Sequence, residues 1–290
     1  MSHKQATYRV EASTRLLSML CIGKSKHRDK INYVNISNKI YSWSTYRNYR
    51  KWVDIFLNYC KKHGKPTDLQ SCKEYVNPWL QDMINRNLSA WTIGLAKASV
   101  VKLFDCPSDD FITPPKRHRA DIKRSRQAVD MDGRIKADWE PLIEFCKATG
   151  LRRHELEKLQ GSDLCYVNGS PYLSVKGKGG RVRTAPIVGN AEDVQEVVNK
   201  CLTSGDGLVW PDVPKKLDIH SYRAEYAQTV YKTSRRPLDS LQGHELYYCR
   251  GDRQGVAYDR QALLTASQAL GHDRVSVVAE HYLWGLKIQL

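Results

Sequence analysis

The chain contains six residues, spread over its C-terminal half, whose side chains suit a reaction at a phosphodiester. In chain order they are Arg152, Lys178, His220, Arg223, His272 and Tyr282. A tyrosine phenol can attack phosphorus. Arginine can hold the charge that then develops on the phosphate oxygens, because its planar fork donates two parallel hydrogen bonds. A lysine can protonate the departing oxygen as a general acid. The set therefore predicts that Tyr282 forms a covalent bond to a phosphate.

Tyr282 needs assistance to become a nucleophile. A phenol has a pKa of about 10 and is almost entirely protonated at neutral pH. A neighbouring base or a positive field must therefore help, and His220 and His272 are the candidates. Lys178 stands in the glycine-rich stretch Gly177–Gly180. This stretch allows a close approach of the backbone, and it lacks the spacing of a nucleotide-binding loop.

Each of these residues also has an ordinary interpretation when it is taken alone. A lone arginine is usually a surface charge, a lone histidine is usually structural, and Gly-Lys-Gly-Gly is usually only a hairpin turn. The neighbours interpreted as bystanders or as weaker nucleophiles are Arg153, His154, His244, His281, Tyr247, Tyr248 and Tyr258. The order and combination of the six favour a joint role.

The composition indicates a globular protein that binds nucleic acid. Lys and Arg number 46 against 31 Asp and Glu, a net charge of +15, which attracts polyanions. No apolar run approaches the roughly 18 residues of a membrane span, and no secretory signal is visible, so a cytoplasmic, nucleoid-associated bacterial protein is expected. The eight cysteines show no Cys-x-x-Cys pair, which argues against a disulfide framework or a zinc site.

The 290 residues suffice for two domains, and the N-terminal part predicts a small helical one. Residues 1–38 form an accessory segment, with a helix over 11–21 that turns Leu16, Leu17 and Leu20 inward and a basic loop over 23–30. Residues 39–106 predict three helices, over 42–64, 71–86 and 89–104. The polar face of the first carries Arg47 and Lys51, which we expect to contact DNA, although an ordinary solvated face is the alternative.

Residues 107–130 predict a basic linker that crosses a phosphate backbone. Proline at 107, 114 and 115 opposes regular structure. The cations expected to contact phosphates are Lys116, Arg117, Arg119, Lys123, Arg124 and Arg126. Their binding should weaken steeply with salt because each neutralised phosphate releases counterions. A solvated tether is the alternative.

Residues 131–290 predict a mixed domain. Helices are expected over 139–147, 153–159, 191–201, 221–232 and 259–270, and strands over 172–175 and 181–188 form a hairpin about the turn at 177–180. The predicted fold class is therefore α+β and mostly helical: a small all-α domain followed by helices with a small antiparallel sheet.

This second domain resembles the catalytic domain of the tyrosine recombinases, the phage-type integrases. Thr149–Leu156 is similar to the first arginine box of the family, which implies that Arg152 rather than Arg153 is catalytic. The remaining motifs are the hairpin lysine at Lys178, the box His220-Ser221-Tyr222-Arg223, and Leu270-Gly271-His272 before the nucleophile. The helical domain resembles the core-site DNA-binding domain, most closely at Ser44–Tyr49, so the likeness covers residues 40–290.

The resemblance implies site-specific recombination through a 3′-phosphotyrosyl intermediate, for integration and excision of a mobile element. It also implies a homotetramer on paired double-stranded core sites, without metal or other cofactor. Accessory DNA-bending or excision factors are further candidate partners. Two alternatives stay open: a non-catalytic DNA-binding regulator of the same fold, and a relaxing topoisomerase of the type IB kind.

The chain departs from the family pattern in two places that bear on the site. The stretch between Arg223 and His272 is much longer than usual, with the excess over residues 234–256, where an extra hairpin is expected. The stretch from His272 to Tyr282 is one residue longer than usual. On a continuous helix one residue would rotate Tyr282 by about 100°, so we expect a loop to absorb it.

Overall fold

The computed structural model describes residues 7–64, 66–122, 133–177, 180 and 182–286. The chain divides into two compact units, Met1–Arg117 and His118–Leu290. The division falls within the basic stretch predicted as a linker. Among the described residues, no helix has both the length and the apolar character needed to cross a membrane.

The first unit is all-helical. Its α-helices are Tyr8–Ser18 (α1), Lys26–Ile31 (α2), Trp43–His63 (α3), Val76–Asn85 (α4) and Ala90–Phe104 (α5), and a 3₁₀ turn over Ser71–Tyr75 leads into α4. Ser42 caps α3 by accepting the N–H of Thr45 at 3.2 Å, and Ser89 caps α5 in the same way. The three helices predicted from periodicity are confirmed, although the second begins as a 3₁₀ turn.

The core of the first unit lies between α3, α4 and α5. Phe56 of α3 is fully buried and packs on Trp79 of α4, with ring centroids 5.1 Å apart, and on Phe104 of α5. Val53 and Leu57 are buried on the same face of α3. The apolar face read from the spacing of α3 is therefore the one that packs inward.

Two expectations about the N-terminal segment are wrong. Leu16 is buried, but Leu17 is 48% exposed, because it lies about 100° further around the helix, on the side that faces solvent. The stretch expected to be a basic loop contains α2, whose N-terminus is capped by Ser25 accepting the N–H of Arg28 at 3.3 Å. Asp29 of α2 also accepts a hydrogen bond from Tyr41 at 2.7 Å.

The first part of the predicted linker packs onto the first unit. Phe111 is buried in its core, and the buried ammonium of Lys97 donates to the Phe111 carbonyl at 3.0 Å. The backbone N–H of Ile112 donates to Asn77 of α4 at 2.9 Å. The interpretation as a free tether therefore does not hold for residues 111 and 112.

The second unit combines helices with two small antiparallel sheets. Its helices are Gly133–Thr149 (α6), Arg153–Leu156 (α7), Ala191–Ser204 (α8), Ile219–Ser234 (α9), Arg260–Ala269 (α10) and Val275–Val277 (α11). Its strands are Leu164–Val167 (β1), Ser170–Lys176 (β2), Val182–Pro186 (β3), Leu246–Tyr248 (β4) and Ala257–Asp259 (β5). Helix α9 packs against both α6 and α10 and lies at the centre of the core.

The first sheet has the order β1–β2–β3, with Leu173 of β2 paired to Leu164 and to Ala185. The hairpin of β2 and β3 is confirmed, and β1 is an additional strand. Asn168 and Gly169, both with positive φ, form the two-residue turn between β1 and β2. Asn-Gly is a strong hairpin signal, so the sequence did contain the information for β1.

The extra hairpin expected between α9 and α10 is present as β4 and β5. The buried carboxylate of Asp259 anchors it to Arg236 at 2.8 Å and caps α10 by accepting the N–H of Gln261 at 2.9 Å. Hydrogen bonds from Arg236 lower the pKa of Asp259 to about 2, so this anchor is ionised at any ordinary pH. The hairpin and the helix that follows it are thereby fixed together.

Candidate active site

The site is built around the C-terminus of α10. Gly271 has a φ of +69°, and its N–H donates to Gln268 while the N–H of His272 donates to Ser267, each at 2.8 Å. These two bonds form a Schellman cap, which ends a helix with a glycine in the left-handed region. Leu270 is fully buried as the last anchor of the helix. The Leu-Gly-His motif is therefore a helix stop that delivers the imidazole of His272 to a fixed place.

Three arginines converge on the last carbonyls of α10. Arg152 donates to the carbonyl of Leu270 at 3.3 Å, and Arg223 donates to the same oxygen at 2.5 Å. Arg183 of β3 donates to the carbonyl of Ala269 at 2.7 Å. The last carbonyls of a helix lack intrahelical partners and carry partial negative charge, so they favour cations. One helix end thus collects positive charge from three separate parts of the chain.

Arg152 is held by a carboxylate. It precedes α7, and its backbone N–H donates to Glu155 at 2.8 Å while its guanidinium donates to the other oxygen of Glu155 at 2.7 Å. Arg183 also donates to Glu155, at 2.9 Å. Burial alone would raise the pKa of Glu155, but the charges and hydrogen bonds of the two arginines outweigh it and lower that pKa. Glu155 therefore stays ionised and fixes both guanidinium groups.

Gly271 is also required by the packing of Arg183. A Cβ at Gly271 would lie 2.4 Å from the Cδ of Arg183, closer than atoms in real structures approach. Arg183 is largely buried, and its Nε has no hydrogen-bond partner among the described residues. The glycine of the Leu-Gly-His motif thus serves both the helix stop and the approach of this arginine.

Arg223 is the most deeply buried cation of the site. It is 1% exposed, it lies on α9, and it donates to the carbonyl of Gly150 as well as to that of Leu270. Burial lowers the pKa of Arg223 to about 10, which leaves it charged at neutral pH. Gly150 has a φ of +59° and no room for a Cβ against the ring of Tyr226. The glycine before Arg152 therefore also positions Arg223.

Tyr282 lies beside Arg223. The Nε of Arg223 donates to the phenol oxygen of Tyr282 at 3.4 Å, and the guanidinium lies 5.8 Å from the centre of the tyrosine ring. Tyr282 is only 5% exposed, and its backbone carbonyl accepts a hydrogen bond from Gln228 of α9 at 3.2 Å. Helix α9 therefore contacts Tyr282 at its phenol oxygen and at its backbone carbonyl.

Between His272 and Tyr282 the chain forms a loop over residues 272–274, as predicted, and then, after α11, a π-helical turn. The turn covers Val278–Tyr282 and follows α11 directly. Its marker is the hydrogen bond from the N–H of Leu283 to the carbonyl of Val278 at 3.1 Å, five residues back. A π-turn takes one more residue per hydrogen bond than an α-turn. It can therefore accommodate an insertion without interrupting the helical backbone.

Two histidines flank the tyrosine. The ring of His220, in the first turn of α9, lies 5.3 Å from the ring of Tyr282, and the ring of His272 lies 6.0 Å from it. Desolvation and the charge of Arg223 lower the pKa of His220. Burial, followed by the charges of Arg223, Arg152 and Arg183, lowers the pKa of His272 to about 4. Both rings are therefore neutral at neutral pH and can accept a proton.

The lowered pKa of His272 has a measurable consequence for stability. The unfolded chain takes up the proton at its ordinary value of 6.5, while the folded chain resists it until about pH 4, so stability falls as the pH drops through this window. From pH 7 to pH 5 we expect the unmutated protein to lose about 2 kcal/mol more than His272→Gln, measured by urea unfolding. The matched control, His244→Gln on an exposed turn, should behave like the unmutated protein; equal losses in His272→Gln would contradict the assignment.

The structure brings five of the six predicted residues together: Arg152, His220, Arg223, His272 and Tyr282. Lys178 lies outside the described residues, between the end of β2 at Lys176 and the start of β3 at Val182. Arg153 is directed elsewhere and donates to the carbonyl of Leu217 at 2.6 Å. This contact explains why it is Arg152, and not its neighbour, that faces the site.

The predicted DNA-contacting residues occupy different situations. Arg47 and Lys51 are exposed one turn apart on α3, and Lys116 and Arg117 are exposed at the end of the first unit. Arg119 is half-exposed and forms an ion pair with Glu280 at 2.9 Å, on the segment that carries Tyr282. The three remaining cations of the predicted linker lie outside the described residues: Lys123, Arg124 and Arg126.

Sequence analysis did not single out Glu155 or Arg183 as site residues. A signal for Glu155 existed, because an acidic residue three positions after Arg152 fits a capping box. Arg183 belongs to the hairpin motif that follows Lys178, but its contact with the site depends on the register of β3 against β2. Among the residues that the structure describes, no group of three His, Cys, Asp or Glu side chains could hold a metal ion.

Comparison with known proteins yields similarity of structure only. No family model matches the sequence, and no curated protein matches it. The post-cleavage complex of the XerH site-specific recombinase with palindromic difH substrate matches 96% of this chain and 94% of its own, at 14% identity and a TM-score of 0.55. The chain has the tyrosine recombinase fold. The pre-cleavage complex of XerH with difH matches 94% of this chain and 90% of its own, at 14% identity and a TM-score of 0.52.

The tyrosine recombinase fold agrees with the predicted fold class, a mostly helical chain with small antiparallel sheets. Within this fold, Arg152 of the arginine box directly precedes α7, the His-x-x-Arg box begins α9, and the Leu-Gly-His motif ends α10. Each motif therefore stands at the end of a helix, where backbone groups are free to orient charged side chains.

Proposed function

We propose that this protein is a site-specific DNA recombinase that cleaves and rejoins double-stranded DNA through Tyr282. The supporting observation is the position of the Tyr282 phenol, 3.4 Å from the buried guanidinium of Arg223 and flanked by two neutral imidazoles. A buried, fixed cation stabilises the transition state most strongly when it lies beside the atom on which charge develops. Simple packing of a tyrosine does not require this surrounding.

In the cleavage step the phenol oxygen of Tyr282 attacks the scissile phosphorus, and the bond from phosphorus to the 5′ oxygen breaks. The products are a 3′-phosphotyrosyl bond and a free 5′ hydroxyl. The phenolic proton passes to His272 or His220, and the departing oxygen takes a proton from Lys178. Arg152 and Arg223 hold the non-bridging oxygens of the phosphate.

Rejoining is the reverse reaction with a different DNA end. A 5′ hydroxyl attacks the phosphorus and gives its proton to Lys178, and the bond from phosphorus to the Tyr282 oxygen breaks. The departing phenol takes its proton back from the imidazole. Each step exchanges one phosphoester bond for another of similar energy, so the reaction requires no nucleotide cofactor. We extend it to a homotetramer on paired core sites that integrates and excises a mobile element.

The test is covalent trapping with the unmutated protein. Nicked duplexes derived from the flanks of the encoding locus release a short strand after cleavage, so that rejoining fails and the adduct accumulates. We expect an adduct that survives denaturation, that depends on the DNA sequence, and that forms in EDTA. Tight sequence-specific binding without any adduct would contradict the proposal and support a DNA-binding regulator. Relaxation of supercoils without site preference would support a topoisomerase.

A further inference from the structure

The segment of residues 235–256, between α9 and α10, has no part in the reaction described above. It ends in a 3₁₀ turn over Gly251–Arg253, just before β5. Arg253 is partly buried and points toward the π-turn over Val278–Tyr282. The segment therefore has one side chain in direct contact with the backbone that carries the proposed nucleophile.

Arg253 donates hydrogen bonds to two backbone carbonyls, one within the π-turn and one just after it. Its Nη1 donates to the carbonyl of Ala279 at 2.8 Å and to that of Leu283 at 3.4 Å. Its Nη2 donates to the hydroxyl of Tyr258, which in turn donates to the carbonyl of Leu283 at 3.0 Å. The last carbonyls of a helical turn have few backbone donors, and a buried one is costly to leave unpaired. The Leu283 carbonyl also accepts the N–H of Leu286 at 3.1 Å. Arg253 and Tyr258 supply donors on both sides of Tyr282.

Two aromatic rings lie beside this guanidinium. Its carbon lies 5.3 Å from the ring centre of Tyr258 and 5.2 Å from that of Trp284. A planar cation that lies against two rings and donates hydrogen bonds in two directions has little freedom to rotate. A lysine ammonium would offer a point charge without this fixed fork. The contact is therefore specific to arginine.

We propose that Arg253 is a positioning residue that holds the π-turn in the register directing Tyr282 toward Arg223. The inference rests on the proposed function, because it concerns the nucleophile of that reaction. The extra residue before Tyr282 makes the register ambiguous, since the same backbone can form α-turns with the phenol rotated away. In the structure Arg253 binds the carbonyls of Ala279 and Leu283 with the backbone in the π register, so these bonds favour that register and the orientation of Tyr282 that goes with it.

The first test compares Arg253→Ala and Arg253→Lys in single-turnover adduct formation at saturating DNA. A displacement of about 1 Å at a reacting group can slow a reaction about 100-fold, so we expect about that loss for Arg253→Ala and partial recovery for Arg253→Lys. DNA affinity should stay near that of the unmutated protein. The thermal unfolding midpoint should fall because the Ala279 carbonyl loses its donor, so the rates are compared well below that midpoint. The matched control, Arg250→Ala on the exposed part of the same segment, should react normally.

The second test separates the nucleophile from the leaving group. DNA with sulfur in place of the bridging 5′ oxygen releases a thiolate, which departs without being protonated. Lys178→Ala should recover most of its activity on this DNA, because the proposed role of that lysine is protonation. Arg253→Ala should stay about 100-fold slower than the unmutated protein, because its defect lies in placing the phenol.

Adduct formation by Arg253→Ala at the normal rate overturns the inference, and so does a slow rate that sulfur substitution restores. A loss explained by weaker DNA binding, or shared by Arg250→Ala, also overturns it. If the unmutated protein forms no adduct, the proposed function fails and the inference falls with it, which the control lane shows directly.

Discussion

Replacing Tyr282 with Phe is expected to abolish covalent attachment to DNA while leaving the fold intact. The substitution removes one oxygen, whose contact with Arg223 is a long one of 3.4 Å, and keeps the buried ring. Loss of the attacking atom of a covalent mechanism lowers its rate by at least about 1,000-fold. The measurement is adduct formation on a nicked duplex, with DNA affinity measured in parallel and expected to change little.

The matched control for this substitution is Tyr248→Phe. Tyr248 lies in β4 and is 57% exposed, so its hydroxyl can be removed without opening the core. Adduct formation should be unchanged in this variant. An adduct that persists in Tyr282→Phe would show that another residue attacks the phosphate. In that case the arrangement around Arg223 would have a different purpose.

Replacing Glu155 with Gln is expected to destabilise the second unit by about 3–5 kcal/mol. The carboxylate is fully buried and binds Arg152 and Arg183, so its removal leaves two cations with reduced compensation. The amide also places a donor where an arginine already donates. Urea unfolding measures the loss. Because Arg152 depends on the same carboxylate, adduct formation should fall as well.

Glu157→Gln is the control in the same short helical region. Its side chain is exposed and approaches Arg153 only to 3.9 Å, a surface pair worth at most about 1 kcal/mol. We expect a change in unfolding free energy close to zero. Equal effects of the two substitutions would mean that Glu155 does not carry the charge balance of the site.

The helices were predictable wherever one apolar face is continuous. Val53, Phe56 and Leu57 alternate with polar residues at helical spacing, and serine stands where α3 must begin, so local chemistry and packing agree. The clustering of Arg152, Arg223 and His272 was predictable for a different reason. Each of these three belongs to a short motif in which a glycine or a helix end is needed to place the side chain, as at Gly150 and Gly271.

The register of Tyr282 was not predictable from the sequence. Local propensity does not distinguish a π-turn from a loop over Val278–Tyr282, because the turn is stabilised by partners from distant elements. Gln228 of α9 and Arg253 of the inserted segment supply those hydrogen bonds. Tertiary contacts of this kind leave no periodic signal. The same holds for Arg183, which is placed by strand pairing.

The most direct test of the account identifies the residue that carries DNA. The trapped adduct is digested with nuclease and protease, and the modified peptide is sequenced by mass spectrometry. We predict a nucleotide attached through its 3′ phosphate to Tyr282, with a free 5′ hydroxyl on the other DNA end. A nucleotide on Tyr247, Tyr248 or any other residue, or a linkage through a 5′ phosphate, would contradict it.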